Sequence, residues 1–206
     1  SGWFEWLAAL PIIIDDQPAP PAEIVKRASA WRERLATGRA RNHRGELWPK
    51  CRLFGVVGDH LQDLAAHAPP IERERDELRQ VQETARQWKR VIAKEAGYAT
   101  ILLSQLTRAV ADPKAKRRWP TASDLWGGTP VESSADVIVA VHRPEVLGSK
   151  SEAWRGVAGI VPLKGRMGGS RRVVRLGFER GCFSIDLPPH ARGQAWTDDE
   201  EGSDER

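Results

Sequence analysis

"YATILLSQLTRAV" (98–110) is the stretch on which the fold of this chain turns. Its first six residues form a short, nearly continuous apolar run, the pattern of a buried strand and too short for a core helix. Ser104 and Gln105 then break the run, and Arg108 follows. In open α/β sheets ligands bind at the carboxyl ends of the strands. An amide carried to that edge contacts a phosphate oxygen or an attacking water without adding charge.

Strands and helices alternate on either side of it. "LPIIID" (10–15) reads as a buried strand and "PPAEIVKRASAWRERLA" (20–36) as an amphipathic helix. Pro21 suits its first turn, and Ile24, Ala28, Trp31 and Leu35 share one face. Residues 37–50 form a polar, basic loop, and "RLFGVVGD" (52–59) is the next strand. A long helix is predicted over 69–97, with Leu78, Val81, Ala85, Trp88, Ile92 and Ala96 as its stripe and Gly97 at its C-terminus. Strands follow at 98–105 and 135–143. The segment 156–187 carries no helix signal and reads as a hairpin turning at Met167-Gly168-Gly169, then a short last strand. The fold class is therefore α/β: a mainly parallel sheet flanked by helices, with an antiparallel C-terminal hairpin.

The residues ending the strands form a set: Asp15-Asp16, Asp59-His60, Ser104-Gln105 and His142-Arg143. Singly, each is more often a cap or turn residue than a catalyst. Together they line one sheet edge with polar groups, as a nucleotide site requires. Asp59 is the sharpest of them. An apolar strand ending in Asp is the Walker B pattern, in which the carboxylate holds, through water, a Mg²⁺ that bridges the β- and γ-phosphates. Gln105 fits a γ-phosphate sensor beside it.

Composition sets the bounds. The chain has 206 residues, 40% hydrophobic and 29% charged, an ordinary globular balance with room for one sizeable core. No apolar run reaches the ~20 residues of a membrane helix, and "SGWFEW" at the start is not a secretory signal. It also lacks an initiating Met, so a piece of a longer protein is expected. Cys51 and Cys182 have no metal-ligand spacing and read as free thiols of a cytoplasmic protein. Formal net charge is +4, but "DDEEGSDER" (198–206) is mostly acidic with no apolar residue, so 191–206 reads as a disordered tail. The body, 1–190, is correspondingly basic. Arg and Lys crowd 34–45 and "KAKRRWP" (114–120), clusters that suit phosphate backbones or serve as solubilising loops.

The ordered segments "LPIIIDDQP", "GVVGDHLQ", "ARQWKRVIAKEAGYATILLSQLTRAV", "SDLWGGTPVESSADVIVAVHR" and "LKGRMGGSRRVVRLGF" resemble the latter part of the RecA-like motor domain of DnaB-type replicative helicases. The resemblance covers about residues 10 to 187. It implies a ring-shaped homo-hexamer that hydrolyses ATP with Mg²⁺ at subunit interfaces and moves along single-stranded DNA, with primase and a helicase loader as partners. It places Lys164 and Arg166 on a hairpin that reaches into the neighbouring subunit's site. In a strand, residues two apart face the same side, so both cations address one target. The Arg is a planar bidentate donor and the Lys a point charge. DNA contacts are expected at Trp126, Gly127, Gly128 and Thr129, in a channel-lining loop, and at Arg117 and Arg118.

Three departures qualify that picture. No G-x-x-x-x-G-K-[ST] phosphate loop occurs in the chain, and the resemblance puts the loop and the catalytic glutamate before residue 10. The family's usual Arg-Glu-Ser-Gly is replaced by Trp126-Gly127-Gly128-Thr129. There the glycines let backbone amides approach phosphates, and Trp126 either stacks on a base or packs against its neighbours. The basic loop 37–50 looks like an insertion. Two other readings stay open: an inactive relic or phage-type relative that keeps a ring or DNA surface without hydrolysis, and a RecA- or RadA-like recombinase.

Overall fold

The computed structural model describes residues 10, 12–42, 44–67, 76–110, 119–146, 152–166, 168 and 172–192. The chain divides into two compact units, 1–105 and 106–206, each with its own sheet.

In the first unit, helix α1 (Pro21–Thr37) starts with Pro21 in its first turn and ends at Gly38, whose φ of 70° is the left-handed cap geometry. Its Ala28 and Leu35 are buried. Strand β1 (Gly55–Gly58) pairs in parallel with β2 (Ala99–Leu102), Gly55 opposite Ala99 and Gly58 opposite Leu102. Between them lie α2 (Leu61–Ala66) and α3 (Glu77–Gln87), and α3 continues as a π-helical stretch, Trp88–Glu95. Trp88, Ile92, Tyr98 and Ala28 make the core, joined by Leu53, Val56, Leu64 and Leu102. A Cβ on Gly58 would lie 2.5 Å from the Trp88 ring, so only glycine lets β1 end against that indole.

The basic loop has a shape of its own. Residues 40–42 and 44–48 form a small hairpin in which Trp48 N–H donates to the Ala40 carbonyl (3.0 Å), Arg41 bridges Leu47, and Asn42 N–H donates to the Glu46 carbonyl (2.9 Å). Gly45 closes the turn with φ 79° and donates to the Asn42 carbonyl. Ala40 and Trp48 pack with Leu35 in a second buried cluster.

In the second unit, α4 (Thr129–Ser134) leads into a four-stranded antiparallel sheet ordered β3 (Val137–His142), β4 (Val157–Gly165), β5 (Val174–Glu179), β6 (Cys182–Ser184). Trp154, Val157 and Ala191 form its buried cluster, with Trp119 and Leu187 against it.

The α/β class stands, but among the described residues the parallel part is a single pair and the antiparallel part is the larger. "LPIIID" forms no strand among the described residues: 12–16 have no ladder, and Ile12 N–H instead donates to the Leu10 carbonyl (2.8 Å). Ile13 joins the Leu35–Trp48 cluster, while Ile14 is 89% exposed. An apolar run lacking a neighbouring strand has nothing to pair with, and Asp15 instead opens a turn by accepting from Gln17 N–H. The long helix begins, among described residues, at Glu77; Leu78 is exposed, whereas Val81, Ala85, Trp88 and Ile92 are buried as the stripe predicts. Gly97 has the expected positive φ, 73°. Met167 and Gly169 of the predicted turn, residues 114–118, and 193–206 of the tail lie outside the described residues. Ala191, assigned to the tail, is fully buried. Both cysteines are free. No helix of the described residues is long and apolar enough to cross a membrane.

Candidate functional site

The parallel register of β1 and β2 brings two of the predicted residues to neighbouring strand tips. Beyond Gly58 and Leu102 the ladder runs on: Leu103 N–H donates to the Gly58 carbonyl (3.0 Å) and Leu61 N–H to the Leu103 carbonyl (2.8 Å). Asp59 leaves β1 exposed, and Gln105 lies exposed two residues beyond Leu103. Side chains from the start of α2 fasten the two tips. Gln62 Oε1 accepts from Gln105 N–H (3.3 Å), and Gln62 Nε2 donates to Ser104 Oγ (3.3 Å). The Gln105 side-chain amide lies 2.9 Å from His60 Nε2.

His60 meets one neighbour at each ring nitrogen. It is the N-cap of α2, its Nδ1 accepting from Asp63 N–H at 3.2 Å. A neutral ring that accepts at Nδ1 carries its proton on Nε2. The Gln105 atom that faces Nε2 is its amide nitrogen, a donor, which pairs with Nε2 only when the ring proton sits on Nδ1, so the helix cap and the Gln105 contact are alternatives for one ring. His60 and Ser104, named in the strand-end set but given no individual role there, are thus part of the same constellation. The available signal was position: His60 directly follows the strand-end aspartate and precedes a helix.

A Mg²⁺–phosphate group fits this edge only in part. Asp59 supplies one exposed carboxylate, enough for a water-mediated Mg²⁺ contact, since Mg²⁺ keeps several waters and shares phosphate oxygens. No cluster of three metal-ligating side chains occurs among the described residues. A glycine-rich phosphate cradle is not in the chain.

The other strand-end residues have structural roles. Asp15 accepts from Gln17 N–H and from Arg27 Nη1 (3.0 Å), which together hold its carboxyl below the usual range. His142 is 4% exposed, its Nε2 buried without a partner, and burial lowers its pKa to about 4. Arg143 stacks over Phe178 at 3.8 Å.

In the second unit the two predicted cations both engage residues 132–136. Lys164 Nζ donates to the Glu132 carbonyl (2.6 Å), and Arg166, just past β4, pairs with Asp136 at 3.0 Å, both side chains of that pair more than half exposed. The predicted DNA loop is a tight turn: Gly128 N–H donates to the Leu125 carbonyl (2.9 Å), so that amide is already engaged. Gly127 has φ 107° and Gly128 φ 61°, positions that favour glycine. Trp126 is half-buried and Thr129 exposed at the start of α4. Asp124 anchors the loop from within, accepting from Thr121 N–H and Oγ1, both at 2.8 Å. Arg117 and Arg118 lie outside the described residues. Trp119 packs on His142 and Trp154, with ring centroids at 4.4 and 5.5 Å.

Residues 4–185 match the family described as DnaB-like helicase C terminal domain. Similar curated proteins are the replicative DNA helicase DnaB of Pasteurella multocida, 42% identical over 95 residues (46% of this chain, 19% of that protein), and that of Haemophilus influenzae, 36% identical over 132 residues (64% and 26%). A probable plasmid replicative DNA helicase of Chlamydia psittaci is 33% identical over 128 residues, 62% of this chain and 26% of that protein. The matched regions thus span about a fifth to a quarter of these relatives. Among solved structures, one ATPase domain superposes with a TM-score of 0.62 at 24% identity, covering 84% of this chain and 53% of that one. A DnaB-like replicative helicase, solved in a study of its interactions with primase, gives 0.60 at 24% identity, covering 84% and 37%. At that identity the likeness is one of fold.

Proposed function

Because this chain belongs to the DnaB-like helicase C-terminal domain family, we propose that it is the carboxyl part of a DNA motor, a hexameric helicase that couples ATP hydrolysis to translocation on single-stranded DNA. One observation carries the reading: Asp59 and Gln105 stand at adjacent parallel strand tips, fastened by His60 and Gln62. Asp59 would hold the hydrated Mg²⁺ of a nucleotide, and Gln105 would touch the terminal phosphate or the water that attacks it. Lys164 and Arg166 would act on a neighbouring copy's nucleotide, where an arginine neutralises charge developing on the transferring phosphoryl group. Trp126 to Thr129, with Arg117 and Arg118, would face the strand. Residues up to about 190 would make one motor domain. Primase and a loader, as partners of such a ring, belong to the same proposal.

Taken alone, these 206 residues contain no phosphate-loop motif, which favours a non-hydrolysing reading for the isolated chain. The test uses the complete protein that contains it. Single-stranded DNA should stimulate ATP hydrolysis, and Asp59→Asn and Gln105→Ala should each lower kcat by at least about 100-fold without unfolding the protein. Unchanged kcat in both variants would contradict the assignment.

A further inference from the structure

The hairpin at 40–48 and its flanks hold six cations, Arg34, Arg39, Arg41, Arg44, Lys50 and Arg52, against a single carboxylate, Glu46. All six are exposed, and none is in an ion pair among the described residues. Glu46 is engaged within the hairpin, accepting from Asn42 Nδ2 at 2.8 Å. Like charges crowded this closely repel one another, so a loop that served only solubility would gain from intermingled carboxylates.

This segment is also built rather than slack. Asn42 Oδ1 accepts from Arg44 and Glu46 N–H, both at 2.9 Å, and Arg41 Nη1 donates to the Gly45 carbonyl. Trp48 and Ala40 pin its base on Leu35, and Cys51 N–H reaches the Leu35 carbonyl at 3.3 Å. The Lys50 stem lies 3.2 Å from where a Cβ on Gly38 would stand, which keeps it beside the Arg39 root. A hairpin folded by its own turn contacts, with Arg39, Arg44, Lys50 and Arg52 exposed around it, is a positioned array.

We propose that this basic hairpin is a second nucleic-acid contact, one that grips the phosphate backbone of a DNA duplex. The ligand class follows from what the surface lacks. Trp48 is buried and Trp31 half-buried, with Arg34 over its ring at 5.2 Å, so neither tryptophan of the array stands ready to stack an unpaired base, and Phe54, exposed two residues beyond Arg52, is a single ring beside six cations. Without stacking, single strands lose their main advantage. Duplex DNA offers the denser line of charge, one phosphate per about 1.7 Å of axis, and its grip is sequence-independent. The contact does not depend on the nucleotide site and stands or falls apart from it.

The test compares the chain with the triple variant Arg39→Ala/Arg44→Ala/Lys50→Ala, at exposed side chains that make no hydrogen bond among the described residues. Arg41 is spared because it ties the turn. Binding to a labelled duplex of about 20 base pairs and mixed sequence is followed by anisotropy from ~50 to ~300 mM salt. Each lost phosphate contact should lower the slope of log K against log salt by about 0.9, so the triple variant should lose between about two and three units, with affinity at low salt reduced roughly tenfold or more. A control, Arg86→Ala/Arg90→Ala/Lys94→Ala, removes equal charge from the exposed side of the long helix and should change the slope little. Equal losses in both variants would overturn the proposal in favour of net charge alone. An unchanged slope in the hairpin variant would overturn it outright, and a loss seen only with a single-stranded oligonucleotide would overturn the duplex assignment.

Discussion

His60 is the residue where local structure and chemistry meet. Its Nδ1 lies at the cap of α2 and its Nε2 faces the Gln105 amide at 2.9 Å. The two roles separate by substitution. His60→Ala should lose the cap and cost about 1 kcal/mol in thermal or denaturant unfolding. His60→Asn keeps a capping oxygen but is too short to reach Gln105, so stability should be nearly retained while kcat falls and KM changes little. Equal kcat for Asn and wild type would show that Gln105 needs no such support. Asp59 and Gln105 were legible in the sequence because an apolar run ending in a polar residue is a strong local signal. The contact between His60 and Gln105, 45 positions apart, was not, because only the parallel register brings the two tips together. His142 was read as an edge residue for the same reason: alternation puts it on the inner side of β3 with Ile138 and Ala140. Burial holds its folded pKa near 4, below the ordinary 6.5. The unfolded chain therefore binds the extra proton first, and stability is full above pH ~6.5 and declines as pH falls toward ~4, by at most about 3 kcal/mol. Urea unfolding at about pH 7 and about pH 4.5 should show this decline, and His142→Leu should flatten it.

Among elements, those with explicit ends were legible. Pro21 and Gly38 bracket α1, and Gly97 follows the long helix. Helices α2 and α4, six residues each, are too short for a hydrophobic period to declare itself. "LPIIID" misled because apolar content marks a strand only where a partner exists. The tightest constraint on an element is Gly58, where a Cβ would meet the Trp88 ring at 2.5 Å, Leu102 at 2.8 Å and Leu64 at 2.9 Å. Gly58→Ala should cost about 1–3 kcal/mol by overpacking, measured as a shift in the unfolding midpoint. Because Asp59 is the next residue, hydrolysis by the complete protein should fall with it. An unchanged midpoint would mean that β1 does not end against Trp88.

For the whole molecule, composition fixed little beyond an ordinary globular class. The family order of motifs said more, and the match over residues 4–185 bears it out. The proposed role of Arg166 between copies is one that a single chain does not display. Here Arg166 pairs with Asp136 in its own unit, a half-exposed contact worth about 0–1 kcal/mol, cheap to exchange for a phosphate. In the complete protein, rings would be mixed from Asp59→Asn subunits, which keep the arginine, and Arg166→Ala subunits, which keep the Mg²⁺ carboxylate. Mixing would be verified by native mass spectrometry, and DNA-stimulated ATP hydrolysis measured alongside wild type diluted with Arg166→Ala. The account predicts activity in the Asp59→Asn/Arg166→Ala mixture clearly above that of either variant alone, because some interfaces then hold both intact parts. Mixed rings as inactive as their parents, while diluted wild-type rings retain activity in proportion to their content, would contradict it.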